Sequence, residues 1–201
     1  MSEAILLSGG MDSIALACWK RPTVAFTLDY GQLAAEAEIE ASTVVARALG
    51  MDHHIIRIDL RTLGSGDMAG TGADIYAPAS DWWPYRNQML ITLAAMKAVS
   101  LGVKILMLGT VATDQVHKDG TVQFVDKLDA LLACQEGELR VTAPAIGLST
   151  RDLILISKAP RPLMALAHSC HKANVPCGQC RGCNKYFETL DQLENVAKGS
   201  A

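Results

Sequence analysis

The chain has 201 residues, half of them apolar, and a formal net charge of −3 at pH 7. This length suits one domain with a substantial core, or one domain with a small appendage. The weak negative charge gives no sign of a nucleic-acid surface, and no apolar run approaches the roughly 18 residues that span a bilayer. Because no signal peptide precedes the first predicted strand, we expect a cytoplasmic protein without a membrane anchor.

The first predicted strand, residues 4–7, leads into a turn that contains two adjacent glycines. This turn reads Ser8-Gly9-Gly10-Met11-Asp12-Ser13, and the apolar segment after it is long enough for a helix. Glycines let the backbone approach a ligand closely, while the two serines and the first N–H groups of the helix offer hydrogen-bond donors. The turn is therefore predicted to hold phosphate groups. It is not a Walker sequence, because no Gly-Lys pair follows at the required spacing.

Strand and helix patterns alternate along the next part of the chain. Strands are predicted at 23–28, 55–58, 105–109 and 141–144, and helices at 33–49, 88–101, 122–135 and from 149, with Ser149 as N-cap and Asp152 as its partner acid. Short links between them predict about five parallel strands in an α/β fold. Ligands of such sheets bind beyond the carboxyl ends of the strands, where the glycine turn and Asp29-Tyr30-Gly31-Gln32 both fall.

Residues 60–83 show no periodicity and contain four glycines. A loop of this length inside a compact domain is either a lid over a site or a tolerated surface insertion, and both interpretations stay open. A lid would matter for chemistry that must exclude water.

Two further stretches are candidates for the same crevice. Arg86 and Asn87 stand at the start of a predicted helix, where they can offer a planar cation and an amide to phosphates, or serve as a surface residue and a helix cap. Gly109 ends a predicted strand, and Asp114 follows it. Asp114 could help hold Mg²⁺ or orient an amine, or it could be an ordinary loop acid.

Four of the six cysteines lie within 14 residues near the C-terminus. Cys170, Cys177, Cys180 and Cys183 have the spacing C-x6-C-x2-C-x2-C, with Gly178 and Gly182 between ligands. Four thiolates can surround a tetrahedral Zn²⁺ with no open position, which predicts a structural metal; an iron–sulfur cluster is the alternative. His168 and His171 are expected to be bystanders or site-wall residues, and Cys18 and Cys134 to serve in packing.

The glycine turn resembles the pyrophosphate loop of the ATP pyrophosphatases, which adenylate a carbonyl or carboxylate. The turn at 8–13, the Asp-Tyr-Gly-Gln turn, Pro84-x-Arg86-Asn87, the stretch 109–114 and the four cysteines together resemble the 7-cyano-7-deazaguanine synthase family of queuosine biosynthesis. The resemblance implies a Rossmann-like, three-layer adenine nucleotide alpha hydrolase fold, a homodimer, and ATP, Mg²⁺ and structural Zn²⁺. It also implies conversion of 7-carboxy-7-deazaguanine and ammonia to the nitrile, with release of AMP and pyrophosphate.

From these patterns and the resemblance we assign residues 1–160 to a nucleotide-binding domain and 161–201 to a helical zinc-binding segment. The predicted catalytic residues are Ser8, Asp12, Ser13, Arg86 and Asp114. The predicted nucleotide-binding residues are Leu7, Ser8, Gly9, Gly10, Met11, Asp12, Ser13, Asp29, Tyr30, Gln32, Arg86, Asn87 and Gly109. The predicted metal ligands are the four clustered cysteines.

Three stretches depart from the family pattern. The family has the motif Leu-Thr-Lys-x-Glu, and Thr150 stands at the position of its lysine, with Arg151 and Lys158 as possible substitutes. Tyr186 stands where the family has an arginine, and residues 115–120 lack the family's usual Tyr, Pro and Arg. The nucleotide half therefore matches better than the acceptor half. Two alternatives stay open: a paralogue that adenylates a different carboxylate to give an amide, and a nucleotide-binding partner subunit without catalysis.

Overall fold

The computed structural model describes residues 2–199, and its centre is a five-stranded sheet. The strands are β1 (Ser2–Leu6), β2 (Val24–Asp29), β3 (Asp52–Arg57), β4 (Val103–Met107) and β5 (Arg140–Thr142). Their order is β3-β2-β1-β4-β5, and every neighbouring pair is parallel. This confirms the predicted α/β fold with five parallel strands.

Helices cover both faces of the sheet. They are α1 (Met11–Lys20), α2 (Ala35–Leu49), α3 (Arg86–Ser100), α4 (Val122–Ala133), α5 (Thr150–Ser157), α6 (Arg161–Met164) and α7 (Arg181–Gly199). Side chains of a strand point alternately to opposite faces, and in β1 Ala4 packs with residues of α3 and α4 while Ile5 packs with residues of α1 and α2. Because both faces are covered, the fold has three layers and the buried strand positions are mainly apolar.

The strand order opens a crevice at the carboxyl ends of β1 and β4. From β1 the chain goes to β2 and β3 on one side and then returns to β4 and β5 on the other, so the connecting segments diverge there. Gly109, just after β4, lies against the first turn of α1: a Cβ on Gly109 would be 3.1 Å from the Ser13 Cα. The glycine therefore lets the end of β4 approach the glycine turn.

Element boundaries differ from the predictions at two informative places. The strand β3 begins at Asp52, three residues before the predicted start at 55, because Asp52, His53 and His54 pair with β2 although they are polar. Helix α1 begins at Met11, so the second half of the glycine turn is already helical. The packing role predicted for Cys134 is wrong: it is exposed at the end of α4, whereas Cys18 is buried as predicted.

The segment after residue 160 packs on the same helices as the rest of the chain. Leu163 and Met164 contact the cluster around Ile14, and Leu193 of α7 contacts the cluster that α1 and α5 share. The division into 1–160 and 161–201 remains a prediction. Among residues 2–199 no helix combines the length and apolar character needed to cross a membrane.

Candidate active site

The glycine turn presents the amino end of α1 to the crevice. Gly10 is the N-cap of α1 and makes no side-chain cap hydrogen bond, while its own N–H donates to the Ser8 hydroxyl at 3.4 Å. The Ser13 hydroxyl donates to the Gly10 carbonyl at 3.0 Å and lies 3.3 Å from the Ser8 hydroxyl. Gly9 has a φ of +77°, and a Cβ there would be 2.8 Å from the Glu38 carbonyl oxygen, so this position requires glycine. Uncapped N–H groups at a helix start are suited to an anion.

A cavity of about 320 Å³ lies in front of this turn. It is lined by predicted site residues, namely Leu7, Ser8, Gly10, Met11, Asp12, Ser13, Tyr30, Arg86, Asn87, Gly109 and Asp114, and by residues from later segments that include Glu38, Met68, Asp81, His117, Asp119, His168, His171, Arg181 and Lys185. Residues that follow β1 and β4, residues of the loop before α3 and residues of the cysteine segment therefore meet at one cavity.

Two carboxylates and one ammonium meet at the head of α1. The Lys185 Nζ is 2.8 Å from Asp12 Oδ2 and 3.1 Å from Asp114 Oδ1. Burial raises the pKa of Asp12, and the charge of Lys185 opposes that rise. The second oxygen of Asp12, Oδ1, is buried and has no hydrogen-bond partner in the described part of the chain. This carboxylate therefore keeps one free oxygen for a ligand or a cation.

A second group of polar side chains lies at the end of β2. The Arg86 guanidinium is next to the Met68 sulfur and in the field of Glu38 and Asp119. Gln32 donates to Glu38 at 2.8 Å, and burial raises the Glu38 pKa to about 7. Within residues 2–199 Arg86 forms no ion pair with a carboxylate, so its charge is available to an anionic ligand.

The long loop forms a wall of the cavity. Met68 and Asp81 line it, and Trp83 is buried edge-on against Tyr30, with ring centroids 4.9 Å apart. Lys172 pairs with Asp67 at 3.2 Å and ties the loop to the cysteine segment. These contacts favour the lid interpretation over a surface insertion that packs on nothing.

Asp81 is the centre of the contact between that loop and the cysteine segment. Its carboxylate is 3.3 Å from Arg181 and 3.5 Å from both His117 and His171. Burial alone would raise the pKa of Asp81, but the His117 hydrogen bond and the neighbouring charges outweigh it and lower the pKa. Burial also lowers the pKa of His171 to about 4, so at neutral pH Arg181 is the permanent counter-ion of Asp81.

The four cysteine sulfurs form a compact cluster, each within 4.8 Å of the others. Cys170 and Cys180 are 4.0 Å apart, as are Cys177 and Cys183, which is too far for a disulfide bond. Backbone N–H groups of Gln179 and Cys180 lower the pKa of Cys177 to about 6. Four sulfurs around one ion at about 2.3 Å would be about 3.8 Å apart, so this cluster can hold a single metal ion.

Three of the predicted nucleotide-binding residues do not line the cavity. Gly9 lies on the side of the turn that packs against α2. Asp29 accepts a hydrogen bond from the Gly31 N–H and faces a separate shallow hollow, and Gln32 is buried behind Glu38. Their role in binding nucleotide stays a prediction, and in this structure they support residues that line the cavity.

Comparison with known proteins identifies the family. A family model described as "Queuosine biosynthesis protein QueC" matches residues 3–194. The chain belongs to the QueC family. Curated relatives named 7-cyano-7-deazaguanine synthase include the proteins from Syntrophus aciditrophicus and Thiobacillus denitrificans, and each is 32% identical to this chain. The two alignments cover 90% and 89% of this chain, respectively, and 88% of the length of each relative. The relative from Methanosarcina barkeri is 27% identical over 91% of this chain and 90% of its own.

A solved structure supports the fold of this QueC-family chain. The structure of NMN synthetase from Francisella tularensis aligns with a TM-score of 0.53 and 17% sequence identity, over 96% of this chain and 77% of that one. At this identity the likeness concerns the fold alone.

Two of the three departures from the QueC pattern lie next to α1. Thr150 is buried at the start of α5, and Tyr186 of α7 packs on the apolar cluster shared by α1 and α5. Arg151 pairs with Asp152, Lys158 caps the far end of α5, and neither lines the cavity. Lys185 is not among the predicted site residues, because nothing in residues 184–199 marks one charged residue of a helix as facing a site.

Proposed function

We propose that this chain adenylates 7-carboxy-7-deazaguanine and converts it, with ammonia, to the 7-cyano product. The observation that carries the proposal is the cavity in front of α1, because an uncapped helix start, Arg86 and two carboxylates converge there in a chain of the QueC family. Relatives that share about nine tenths of their length with this chain are named for the same product.

The first half-reaction makes the carboxylate electrophilic. ATP lies with its phosphates at Gly10 and the first turn of α1. A carboxylate oxygen of the acceptor attacks the α-phosphorus, the bond to the bridging oxygen breaks, and pyrophosphate leaves. Uncapped N–H groups of α1 and the Arg86 guanidinium stabilise the charge that develops on the leaving group. The wall formed by residues 60–83 limits access of water to the acyl adenylate.

Ammonia then attacks the acyl carbon, loses a proton and displaces AMP, which gives the amide. In a second round the amide oxygen attacks another ATP, pyrophosphate leaves, and loss of AMP with the remaining N–H protons gives the nitrile. Asp119 lines the cavity, and its carboxylate can accept hydrogen bonds from the N–H groups of the pyrimidinone edge.

The residues present fit the two metals that the family resemblance implies. Asp12, with its unpartnered Oδ1, and Asp114 would hold Mg²⁺, which supplies charge neutralisation of the phosphates. The cysteine cluster would hold Zn²⁺ as a structural ion. Sulfurs within 4.8 Å of one another favour one ion over an iron–sulfur cluster, in which thiolates bind different irons and lie further apart.

The direct test is release of pyrophosphate and AMP from ATP in the presence of ammonia and 7-carboxy-7-deazaguanine. We expect acceptor-dependent release that Asp12→Ala abolishes. Asp52→Asn, which changes an exposed acid of β3, should leave the rate unchanged. A protein that releases no pyrophosphate with any acid tested would contradict the proposal and favour a partner subunit without catalysis.

The zinc assignment is tested by metal analysis of the purified protein. We expect about one zinc per chain, and loss of both the metal and thermal stability in Cys180→Ala. Cys134→Ala is the matched control, because this cysteine is exposed and lies outside the cluster. Full metal content and an unchanged melting temperature in Cys180→Ala would contradict a four-thiolate site, and iron in place of zinc would favour the cluster alternative.

A paralogue that acts on a different carboxylate is the second candidate. It is favoured by the acceptor side of the cavity, where His117 from the divergent stretch 115–120 is bound to Asp81 and Arg181. Mass analysis of the product distinguishes the two, since a nitrile from 7-carboxy-7-deazaguanine supports the first and conversion of another acid to its amide supports the second.

A further inference from the structure

The ammonium group of Lys185 has an unusual position for a residue of the cysteine segment. It reaches from α7 to the head of α1, where it bridges Asp12 and Asp114 at 2.8 and 3.1 Å. The side chain is 31% exposed, and Lys185 lines the cavity in front of the glycine turn. A ligand that enters this turn therefore meets the lysine.

The neighbouring position on α5 lacks the cation that the QueC pattern places there. Thr150 is buried at the start of α5, and its hydroxyl lies close enough to Asp12 to lower the pKa of that carboxylate. Arg151 and Lys158 do not line the cavity. Asp12 thus has a threonine where a lysine is expected, and it receives an ammonium from another helix.

We propose that Lys185 is a phosphate-binding residue of this chain and does from α7 what the family's lysine does from α5. The proposal rests on the proposed ATP chemistry. An ammonium has three donors, so Lys185 can keep its contact with Asp12 and still donate to a phosphate oxygen at the start of α1. Without nucleotide, the two carboxylates hold the ammonium at this place.

The cysteine cluster fixes where this lysine lies. Helix α7 begins at Arg181, between Cys180 and Cys183, and Lys185 follows two residues after the last ligand. The Asn184 N–H donates to the Cys180 carbonyl, so the first turn of α7 is directly attached to the cysteine cluster. The structural metal site thereby sets the position of a residue that contacts substrate.

The test measures binding of ATP in the absence of an acceptor by titration calorimetry, with the metal-loaded protein. We expect Lys185→Ala and Lys185→Gln to weaken binding at least about tenfold, the usual effect of losing a charge-assisted hydrogen bond. The double variant Thr150→Lys/Lys185→Ala should regain most of the lost affinity, because removal of the Lys185 side chain frees the space beside Asp12. Lys172→Ala, which breaks an ion pair of the same segment away from the cavity, should bind ATP as the wild type does.

Melting temperature and zinc content, recorded for each variant, separate a phosphate contact from a structural tie between α7 and α1. Weaker binding at an unchanged melting temperature, with rescue by Thr150→Lys, supports the proposal. Binding equal to that of the wild type in Lys185→Gln, or weaker binding that only follows a lower melting temperature and is not rescued, overturns it. A wild-type protein that binds no ATP would overturn the proposed function as well.

Discussion

The two sides of the cavity are built in different ways. On the side proposed to bind the nucleotide, the backbone of the glycine turn and the start of α1 form the surface, and glycines at 9 and 109 make the close approaches possible. On the side proposed to bind the acceptor, side chains from the loop 60–83, the stretch 115–120 and the cysteine segment meet around Asp81. A surface built from backbone depends on one short motif, whereas one built from side chains depends on three segments that are distant in sequence.

This difference explains why the glycine turn keeps the family pattern, whereas Thr150, Tyr186 and residues 115–120, which contribute side chains, depart from it. A change in the glycine turn would have to preserve backbone conformations that only glycine adopts easily. A change in a side chain can be compensated by a side chain from another segment, as Lys185 of α7 occupies the place beside Asp12 in a chain with Thr150 on α5.

The largest effect is expected when a methyl group is added to the side of the cavity that the backbone forms. Gly10 has an ordinary φ, and a Cβ there would have its nearest neighbours at 3.5 and 3.7 Å, so Gly10→Ala should fold normally. Because Gly10 lines the cavity, the methyl would occupy the phosphate position, and ATP affinity should fall about 100-fold, or about 3 kcal/mol. Titration calorimetry measures this. Gly147→Ala, with open space around its Cβ, is the control, and unchanged affinity in Gly10→Ala would contradict a backbone-built phosphate site.

A smaller effect is expected from a substitution on the side of the cavity that side chains form. Asp81→Asn keeps the shape but removes the charge that faces Arg181, so the loop and the cysteine segment should separate more easily. We expect turnover of the acceptor to fall by about tenfold, as for loss of a charged hydrogen bond, with little change in the KM for ATP. Asp67→Asn alters the other ion pair of the same loop, outside the cavity lining. If both variants lose turnover equally, Asp81 has no special role.

The smallest effect concerns Glu38, between the two sides. Its pKa rises from 4.5 to about 7 on folding because it is buried, so the folded protein binds more protons than the unfolded chain between these pH values. The free energy of unfolding should therefore decrease as pH rises from about 4.5 to 7, and Glu38→Gln should remove this decrease.

Because the Glu38 side chain is only partly buried, solvent screens part of this effect, and at pH 8 we expect Glu38→Gln to be about 1–2 kcal/mol more stable relative to the wild type than at pH 4.5. This corresponds to a shift of a few degrees in melting temperature. Thermal melts across this pH range measure it. Glu36→Gln, at an exposed position of the same helix, should melt like the wild type at each pH. A pH-independent difference between Glu38→Gln and the wild type would contradict the raised pKa.

Sequence patterns predicted the features that depend on short stretches. Strand and helix periodicity gave the sheet, the Ser8–Ser13 turn gave the start of α1, and the cysteine spacing gave the cluster. The acceptor wall was not predictable in this way, because Asp81 meets Arg181 across 100 residues of chain. Lys185 was missed for the same reason, since its contact with Asp12 spans 173 residues and depends on how α7 leaves the cysteine cluster.

The central claim is that a carboxylate is activated by transfer of AMP, and the fate of its oxygens tests this most directly. With 7-carboxy-7-deazaguanine that carries ¹⁸O in both carboxyl positions, mass spectrometry of the nucleotide products should find one ¹⁸O in each AMP and none in the nitrile. AMP without label would mean that water, not the acceptor, attacked ATP. Labelled phosphate with ADP would mean activation at the γ-phosphate, and either result would contradict the account.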